Sequence, residues 1–198
     1  MEVRRGMLVV RCFQSLISMA QRISKPLASR LKRVKLLLCD VDGVLTDGSV
    51  YIGAAAEFKQ FNIQDGLGLV LLRRAGLKIG WVSARPSSAT TLRARELKIH
   101  FLIQQKDRSS KTAAVEKLLA QERLSWDEVC FVGDDIVDLG PLRRAGLAVA
   151  VANGVREAKA AAHLVTQAAG GRGAVREVVE LILKAQKKWN FFVAHYAT

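Results

Sequence analysis

Three aspartates lie in the stretch CDVDGVLTDG, which directly follows the apolar run VKLLL. Asp40 and Asp42 are two positions apart, so the period-two alternation of an extended chain sends both side chains to the same side. Two carboxylates so close repel each other unless a cation or a proton lies between them. A charge that abuts a buried strand costs free energy unless it is used, which favours a functional role for Asp40. Asp47 precedes a glycine and is predicted to be a turn residue.

A second acidic group, GDDIVD, follows another apolar run, EVCFV. The carboxyl ends of parallel strands meet at one edge of a sheet. We therefore expect Asp134, with Asp135 or Asp138 as a further carboxylate, to converge with Asp40 and Asp42. Acids after one strand alone would be turn residues, whereas acids after two such strands predict a metal site. A site made only of oxygen ligands suits Mg²⁺ and not Zn²⁺.

Ser83 and Lys111 supply a hydroxyl and a cation at the same predicted edge. Ser83 ends the run KIGWVS, and Lys111 lies in the first turn of a predicted helix. Each has a plainer interpretation, as a helix cap for Ser83 and as a solvated surface lysine for Lys111. A lysine at that position opposes the helix dipole, but a phosphate bound at the same helix end would make it favourable. A hydroxyl and a lysine facing a Mg²⁺ carboxylate cluster are what phosphoryl transfer requires.

The elements that must position these residues are short apolar runs that alternate with helical patterns. Runs that are apolar throughout are typical of strands buried on both faces, so we predict an α/β fold with a parallel sheet flanked by helices. Residues 49–62 break this rhythm and predict a β-hairpin that leaves from the carboxyl edge and overhangs the site. We divide the chain into a basic N-terminal extension or helix (1–33), one domain (34–190) and a C-terminal tail (191–198).

The charge distribution argues against a nucleic-acid-binding protein, and the cysteines indicate neither a disulfide framework nor a zinc cluster. The net charge is +13 over 198 residues, but residues 1–35 hold nine of the 31 Lys and Arg and a single acid, Glu2. That leader is a targeting or membrane-surface segment, a nucleic-acid arm or a solvated helix, and we favour the last. Cys12, Cys39 and Cys130 form no CxxC pair, so we expect reduced thiols in a cytosolic protein. No run reaches the ~18 apolar residues of a membrane span.

The motifs resemble a known superfamily. DVDGVLTDG, the serine that ends the strand KIGWVS, the helix-start lysine Lys111 and GDDIVD are similar, in this order, to the four motifs of the haloacid dehalogenase superfamily of phosphohydrolases. More closely, EFKQFNIQDGLG, the short hairpin in place of a cap domain and AGGRGAVREVVELIL resemble the 3-deoxy-D-manno-octulosonate 8-phosphate phosphatase family. The likeness covers about residues 34–190. It implies a Rossmann-like fold with a hairpin flap, a Mg²⁺ cofactor, and a homotetramer in which a neighbour's hairpin closes each site.

The resemblance also implies roles for the central residues. Asp40 is the nucleophile that becomes an aspartyl phosphate. Asp42 protonates the leaving sugar oxygen and then takes a proton from the attacking water. Asp134 holds Mg²⁺ together with the Asp40 carboxylate and the backbone carbonyl of Asp42. Ser83 and Lys111 grip the phosphoryl oxygens.

Supporting roles follow from the same resemblance. Gly43 and Thr46 shape the loop around the nucleophile, and Asp138 holds a metal-bound water. Lys106 is a rival for the motif lysine because the loop KDRSS is longer than is usual in the family. The spacing to GDD favours Lys111.

Four residues are predicted to contact substrate. Arg85 either meets the carboxylate of a sugar acid through a bidentate fork or caps a helix at the surface. Arg172 lies in GGRG, which is either an anion-binding nest or a flexible loop. Asp65 and Gly66, in the QDG turn, match a family motif near the site or are plain turn residues.

We therefore expect a cytoplasmic Mg²⁺-dependent phosphomonoesterase acting on 3-deoxy-D-manno-octulosonate 8-phosphate in lipopolysaccharide precursor synthesis. The first alternative is a phosphatase of the same type for another sugar phosphate, such as a nonulosonate 9-phosphate. An alternative of a different class is a binding protein that uses the basic N-terminus on nucleic acid or a membrane surface. Intact candidates for nucleophile and acid argue against it, so we expect neither a nucleic-acid partner nor a membrane span.

Overall fold

The computed structural model describes residues 24–53, 57–105 and 111–197. Its strands are β1 (Leu36–Cys39), β2 (Tyr51–Ile52), β3 (Glu57–Phe58), β4 (Lys78–Ser83), β5 (Phe101–Gln104), β6 (Val129–Gly133), β7 (Leu147–Ala150) and β8 (Leu164–Val165). Its helices are α1 (Lys25–Arg33), α2 (Ile63–Arg74), α3 (Ser88–Glu96), α4 (Lys111–Glu122), α5 (Leu139–Arg144), α6 (Arg156–Ala161), α7 (Ala174–Ala185) and α8 (Trp189–Tyr196), with 3₁₀ turns at Trp126–Glu128 and Ile136–Asp138.

Six strands form one parallel sheet in the order β5-β4-β1-β6-β7-β8. Strand β1 is central, with Leu36 paired to Lys78 of β4 on one side and to Val129 of β6 on the other. The predicted α/β fold with a parallel sheet is confirmed. The chain crosses to opposite sides of β1, so the carboxyl end of β1 is the switch point where open α/β sheets bind their ligands.

Helices cover both faces of the sheet, which is why β1 is apolar at every position. Leu37 and Cys39 point into the core shared with α2, α7 and α8. Leu36 and Leu38 point into the core shared with α4, α5 and α6. All four side chains are completely buried, so the position of Asp40 at the end of β1 is fixed by packing from both sides.

The two ends of the described chain pack on the first core. Helix α1, within the segment assigned from sequence to the N-terminal extension, buries Leu31 completely. Gln186, after α7, donates a side-chain hydrogen bond of 2.8 Å to the carbonyl of Val34. The segment assigned from sequence to the C-terminal tail (191–198) overlaps helix α8 (Trp189–Tyr196), whose Phe192 is buried in the same core. The leader over residues 1–23 lies outside the described residues.

A two-stranded hairpin projects beside the carboxyl edge of the sheet. Strands β2 and β3 are antiparallel, with Tyr51 opposite Phe58 and Ile52 opposite Glu57. Residues 54–56, between the two strands, lie outside the described part of the chain. Among the residues described, no helix has both the length and the apolar character needed to cross a membrane.

Candidate active site

Asp40 follows β1 directly and extends its pairing, since its N–H donates to the carbonyl of Val132 at 2.9 Å. The residue is 5% exposed. Its Oδ1 lies 2.9 Å from Nζ of Lys111, the first residue of α4. The nucleophile candidate is therefore a buried carboxylate with one oxygen held by a buried lysine.

The loop after Asp40 is closed on itself by Thr46. The Thr46 hydroxyl oxygen accepts hydrogen bonds of 3.2 Å from the backbone N–H groups of Gly43 and Gly48. It also donates to the carbonyl of Val41 at 3.4 Å. Asp47 caps the following turn, accepting from the N–H of Ser49 at 2.9 Å. Gly43 and Thr46 thus shape the loop that follows Asp40, the candidate nucleophile, and Asp47 lies in the turn that leads into the hairpin, as predicted.

The second acidic group ends β6 and turns through the short 3₁₀ helix. Asp138 is completely buried and accepts from the N–H of Asp134 at 3.0 Å through Oδ2. Its Oδ1 binds Lys111 Nζ at 2.7 Å. Asp135 is exposed and accepts from the N–H of Ile136, as a local cap. Of the two alternatives for a further carboxylate, Asp138 is the one inside the cluster.

The residues present fit a divalent cation. One carboxylate oxygen from each of Asp40, Asp134 and Asp138 lies within 4.8 Å of the others. Asp138 already binds Lys111 and a backbone N–H, whereas Asp134 Oδ1 is buried and has no hydrogen-bond partner among the described residues. A buried carboxylate oxygen without a donor is costly, and a cation at that point removes the cost. The oxygen donor set suits Mg²⁺.

Gly43 makes room for this arrangement. Its φ is +97°, a conformation that residues with a Cβ rarely adopt, and a Cβ there would overlap Oδ2 of Asp134. The sequence of the first loop thus determines how closely the acid of the second loop approaches.

Burial and mutual repulsion raise the pKa values of the cluster. Burial, and next the charge of Asp138, raise the pKa of Asp40 to about 7, although Lys111 opposes the rise. Burial, then Asp40 and Asp138, raise the pKa of Asp134 to about 8. Burial lowers the pKa of Lys111, but Asp40 and Asp138 outweigh it and raise the value, so Lys111 is a cation. The cluster is short of positive charge, as a cation site should be.

A cavity of about 180 Å³ opens over these residues. It is lined by Asp40, Asp42, Ser83, Ala84, Arg85, Lys111, Asp134, Asp135 and Val137. Ser83, 2% exposed, exchanges hydrogen bonds of 3.0 Å with the backbone N–H and carbonyl of Arg85 through its hydroxyl. The structure thus brings together Asp40, Asp42, Ser83, Lys111 and Asp134 at one cavity. Lys106, the rival lysine, lies outside the described residues.

Two charged residues of the hairpin reach this site and were not singled out from sequence. Lys59 Nζ lies 2.6 Å from Oδ1 of Asp42, and Glu57 Oε2 accepts from Nη2 of Arg85 at 2.6 Å. The signal in EFKQF was the alternation of charged and aromatic residues, but short-range pattern does not reveal a partner at another strand end. Arg85 therefore lines the cavity as predicted, and its guanidinium is held by Glu57 rather than by a helix end.

Asp65 and Gly66, predicted to lie in a turn, are in the first turn of helix α2 (Ile63–Arg74). Asp65 and Gly66 do not line the cavity. Asp65 is buried, and its two oxygens accept from the N–H groups of Gly173 at 3.2 Å and Arg176 at 2.7 Å. The carboxylate thus caps α7. The predicted contact of Asp65 and Gly66 with substrate stays a prediction.

The GGRG segment is also occupied internally. Its N–H at Gly173 binds the Asp65 carboxylate, so the predicted anion nest holds a side chain of the same protein. Gly171, with φ +65°, donates to the carbonyl of Val44 at 2.9 Å, and a Cβ there would overlap the backbone at Thr46 and Asp47. Arg172 does not line the cavity, and its guanidinium is 3.9 Å from Asp47. The segment packs against the loop that follows Asp40, the candidate nucleophile.

Comparison with known proteins agrees with this geometry. A model of haloacid dehalogenase-like hydrolases matches residues 103–178. The 3-deoxy-D-manno-octulosonate 8-phosphate phosphatase of Yersinia pestis is 38% identical over 167 residues, which are 84% of this chain and 88% of the relative.

Solved structures agree as well. The crystal structure of the Moraxella catarrhalis enzyme of the same name, in complex with magnesium ion, phosphate ion and KDO, is 37% identical with a TM-score of 0.82, covering 85% of this chain and 97% of that one. A probable YrbI family phosphatase from Pseudomonas syringae is 40% identical with a TM-score of 0.85, covering 88% and 99%.

Proposed function

The chain belongs to the 3-deoxy-D-manno-octulosonate 8-phosphate phosphatase family, and from this we propose that it is a Mg²⁺-dependent phosphomonoesterase that hydrolyses that sugar phosphate to KDO and phosphate. The observation that carries the proposal is that Lys111 is buried between Asp40 and Asp138, beside a buried oxygen of Asp134 that accepts no hydrogen bond from the described residues. A surface cluster of acids would have no reason to enclose a lysine and leave a carboxylate oxygen unsatisfied.

Asp40 is the nucleophile in the first step. Its free oxygen attacks phosphorus in line with the sugar oxygen, the P–O bond to the sugar breaks, and the phosphoryl group remains on Asp40. Lys111 and Ser83 bind the phosphoryl oxygens and offset the charge that builds up on them. When bound, Mg²⁺ neutralises these oxygens and allows two anions to approach each other. Asp134, Asp40 and the backbone carbonyl of Asp42 hold it.

Asp42 moves the protons in both steps. It gives a proton to the leaving sugar oxygen and then takes one from the water that attacks the aspartyl phosphate. That attack releases inorganic phosphate and regenerates the carboxylate of Asp40. Asp42 lines the cavity two residues after Asp40, so one loop carries both the nucleophile and the proton carrier.

Substrate recognition is assigned to Arg85. It lines the cavity, its side chain is 39% exposed, and its guanidinium already binds a carboxylate, that of Glu57. The carboxylate of a sugar acid is an equivalent partner for the same fork. The nearest competing function is hydrolysis of another acidic sugar phosphate, such as a nonulosonate 9-phosphate, because the same groups would serve it.

The assembly we propose is a homotetramer in which neighbouring hairpins help to close each site. Exposed apolar side chains on the hairpin support this, since Ile52 is 82% and Phe58 63% exposed. Phe191 on α8, 70% exposed, offers a second apolar surface. The compartment we propose is the cytoplasm, where the unpaired thiols of Cys39 and Cys130 stay reduced and lipopolysaccharide precursors are made.

Phosphate release from a panel of phosphate esters, with and without a chelator, tests the proposal. The panel contains the octulosonate 8-phosphate, a nonulosonate 9-phosphate, glucose 6-phosphate and a nucleoside monophosphate. We expect the octulosonate ester to have the highest kcat/KM, chelator to abolish turnover and Mg²⁺ to restore it. Asp40→Asn should lose at least ~10³-fold in kcat, while Asp127→Asn, on the exposed turn before β6, keeps wild-type activity.

The other outcomes separate the alternatives. A higher kcat/KM for the nonulosonate ester would make that ester the preferred substrate and leave the proposed reaction unchanged. Equal turnover by wild type and Asp40→Asn would remove the enzyme mechanism. Salt-sensitive binding of nucleic acid or anionic vesicles that is lost on deleting residues 1–23 would favour the binding protein instead.

A further inference from the structure

Four side chains of alternating sign form a row along the hairpin side of the cavity. Asp42 Oδ1 lies 2.6 Å from Lys59 Nζ, and Lys59 Nζ lies 3.8 Å from Glu57 Oε1. The other oxygen of Glu57 accepts from Arg85 Nη2 at 2.6 Å. The row therefore runs from the proton carrier proposed above to the residue proposed to read the substrate carboxylate. Lys59 and Glu57, the two middle members, come from the hairpin and have no role in the mechanism so far.

The Lys59 side chain is completely buried, with 0% exposure. A buried ammonium group is costly unless carboxylates surround it. Both carboxylates near Nζ belong to this row, and Nζ makes no aligned hydrogen bond with any described residue. The contact with Asp42 is therefore an ion pair fixed by where the chain places the lysine, rather than by directional bonds of the ammonium group.

The chain on the far side of Lys59 is anchored. Phe61 stacks on the buried ring of Trp81 in β4, with centroids 6.0 Å apart. Asn62 then caps α2 by accepting from the N–H groups of Gln64 and Asp65. A lysine two residues before this anchor has its main chain tied to the sheet. Because its main chain is fixed relative to the sheet, Lys59 can fix the position of the Asp42 carboxylate on a different loop.

Asp42 depends on this contact. Among the described residues, Lys59 is the ion-pair partner of its carboxylate, and Oδ1 accepts no aligned hydrogen bond. Asp40 and Asp134 line the same cavity as Asp42. With Oδ1 buried against Lys59, Oδ2 is the oxygen left for the leaving group. Without the lysine, no ion pair or hydrogen bond among the described residues holds the Asp42 carboxylate in place.

We propose that Lys59 is the positioning residue for Asp42. Glu57 links Lys59 to Arg85, so the same row of ion pairs holds both Asp42, which transfers the proton, and Arg85, which binds the substrate carboxylate. The inference rests on the proposed function and deepens it. Binding of a substrate carboxylate at Arg85 competes for the guanidinium that Glu57 holds, and this frees Glu57 to turn towards Lys59. The row therefore connects occupation of the sugar site with the placement of Asp42.

The test compares leaving groups in single-turnover experiments. A sugar alkoxide needs a proton from Asp42 as it leaves, whereas a nitrophenolate leaves without one. In Lys59→Met we expect formation of the aspartyl phosphate from octulosonate 8-phosphate to slow by about 100-fold. Release of nitrophenolate from p-nitrophenyl phosphate in the first turnover should stay within about three-fold of wild type. KM for the sugar phosphate should change much less than kcat.

Three further variants complete the design. Lys59→Arg keeps the cation and should restore the sugar phosphate rate to within about ten-fold of wild type. Glu57→Gln, on the hairpin, should shift the ratio of the two rates in the same direction as Lys59→Met, and it carries the comparison if Lys59→Met does not fold. Lys78→Met, which loses an ion pair with Glu122 away from the cavity, is the matched control and should leave both rates unchanged.

Equal losses with the two esters, or no loss with either, would overturn the inference. Failure of the inference is seen when the rate of the variant is divided by that of the wild type and the quotient is the same for both esters. Failure of the proposed function is seen in the wild-type protein itself, as the absence of chelator-sensitive phosphate release from any ester.

Discussion

Oδ1 of Asp138 lies 2.7 Å from Nζ of Lys111, while Oδ2 of the same carboxylate accepts from the N–H of Asp134 at 3.0 Å. One buried side chain therefore fixes both Lys111, proposed to bind the phosphoryl group, and the backbone of Asp134, proposed to bind the metal. The sequence analysis expected Asp138 to hold a metal-bound water. In the described structure its contacts join α4 to the end of β6, and the contact with a metal-bound water stays a prediction.

Replacing Asp138 by Asn is expected to destabilise the protein and disable the site together. The variant leaves the buried Lys111 with one carboxylate fewer, which costs about 3 kcal/mol of unfolding free energy. Displacement of Lys111 should lower kcat by about 100-fold. Urea unfolding and steady-state kinetics measure the two effects, with the exposed Asp127→Asn as control. Retention of both wild-type stability and wild-type kcat would contradict this account.

The metal-free protein should become less stable as pH rises from weakly acidic to weakly alkaline values. The pKa values of Asp40 and Asp134 are raised from 3.8 to about 7 and about 8, so in this window the folded chain binds more protons than the unfolded one. Stability then falls with increasing pH, and is highest below the window, where both groups are protonated in both states.

Mg²⁺ should remove this penalty, because it binds the deprotonated carboxylates. Thermal unfolding at pH 5.5 and pH 8, in chelator and in Mg²⁺, measures the effect. At a hundred times its Kd the ion adds about 2.7 kcal/mol, or roughly 5–10 °C in Tm for a domain of this size. The increase should be larger at pH 8 and absent in Asp134→Asn. An equal increase at both pH values would show that the buried acids are not the binding site.

The sheet and the acidic cluster were predictable because both depend on local sequence. Runs such as LLLC are apolar at every position only if both faces are covered, and acids that follow two such runs must meet at one edge. Ser83 was predictable from the end of one strand and Lys111 from the start of one helix. These predictions needed the order of the elements but no contact between distant side chains.

The remaining contacts depend on pairs that sequence spacing does not encode. Asp65 caps α7 through residues more than a hundred positions away, and Lys59 of the hairpin lies against Asp42 of the loop that follows β1. Gly171 is required by close packing on the nucleophile loop, which a nest-like GGRG pattern imitates. At Asp65 and in GGRG a short motif suggested ligand binding, and at Lys59 no motif gave a signal, while the partner was in each case another part of the chain.

Gly43→Ala should impair metal binding beyond its effect on the backbone. Both Gly43 and Gly76 have positive φ, +97° and +85°, but a Cβ at Gly43 meets Asp134 whereas one at Gly76 has nothing within 4 Å. Each substitution should therefore cost about 1–2 kcal/mol of stability from strain. Only Gly43→Ala should also raise the Mg²⁺ concentration for half-maximal activity, by about 10-fold or more. The measurement is the Mg²⁺ concentration for half-maximal phosphate release in the two variants. If it is the same in both, the steric explanation through Asp134 is excluded.

Asp65→Asn separates a helix cap from a substrate contact at the QDG turn. The carboxylate accepts from two N–H groups at the start of α7, and an amide cannot replace both acceptors. We expect a loss of about 1–2 kcal/mol in urea unfolding, with KM for the sugar phosphate within about two-fold of wild type. Asn62→Ala, which removes the cap of α2, should give a loss of similar size and is the matched control. If instead KM rises by tenfold or more while stability is unchanged, Asp65 binds substrate in the assembled enzyme, as its sequence motif first suggested.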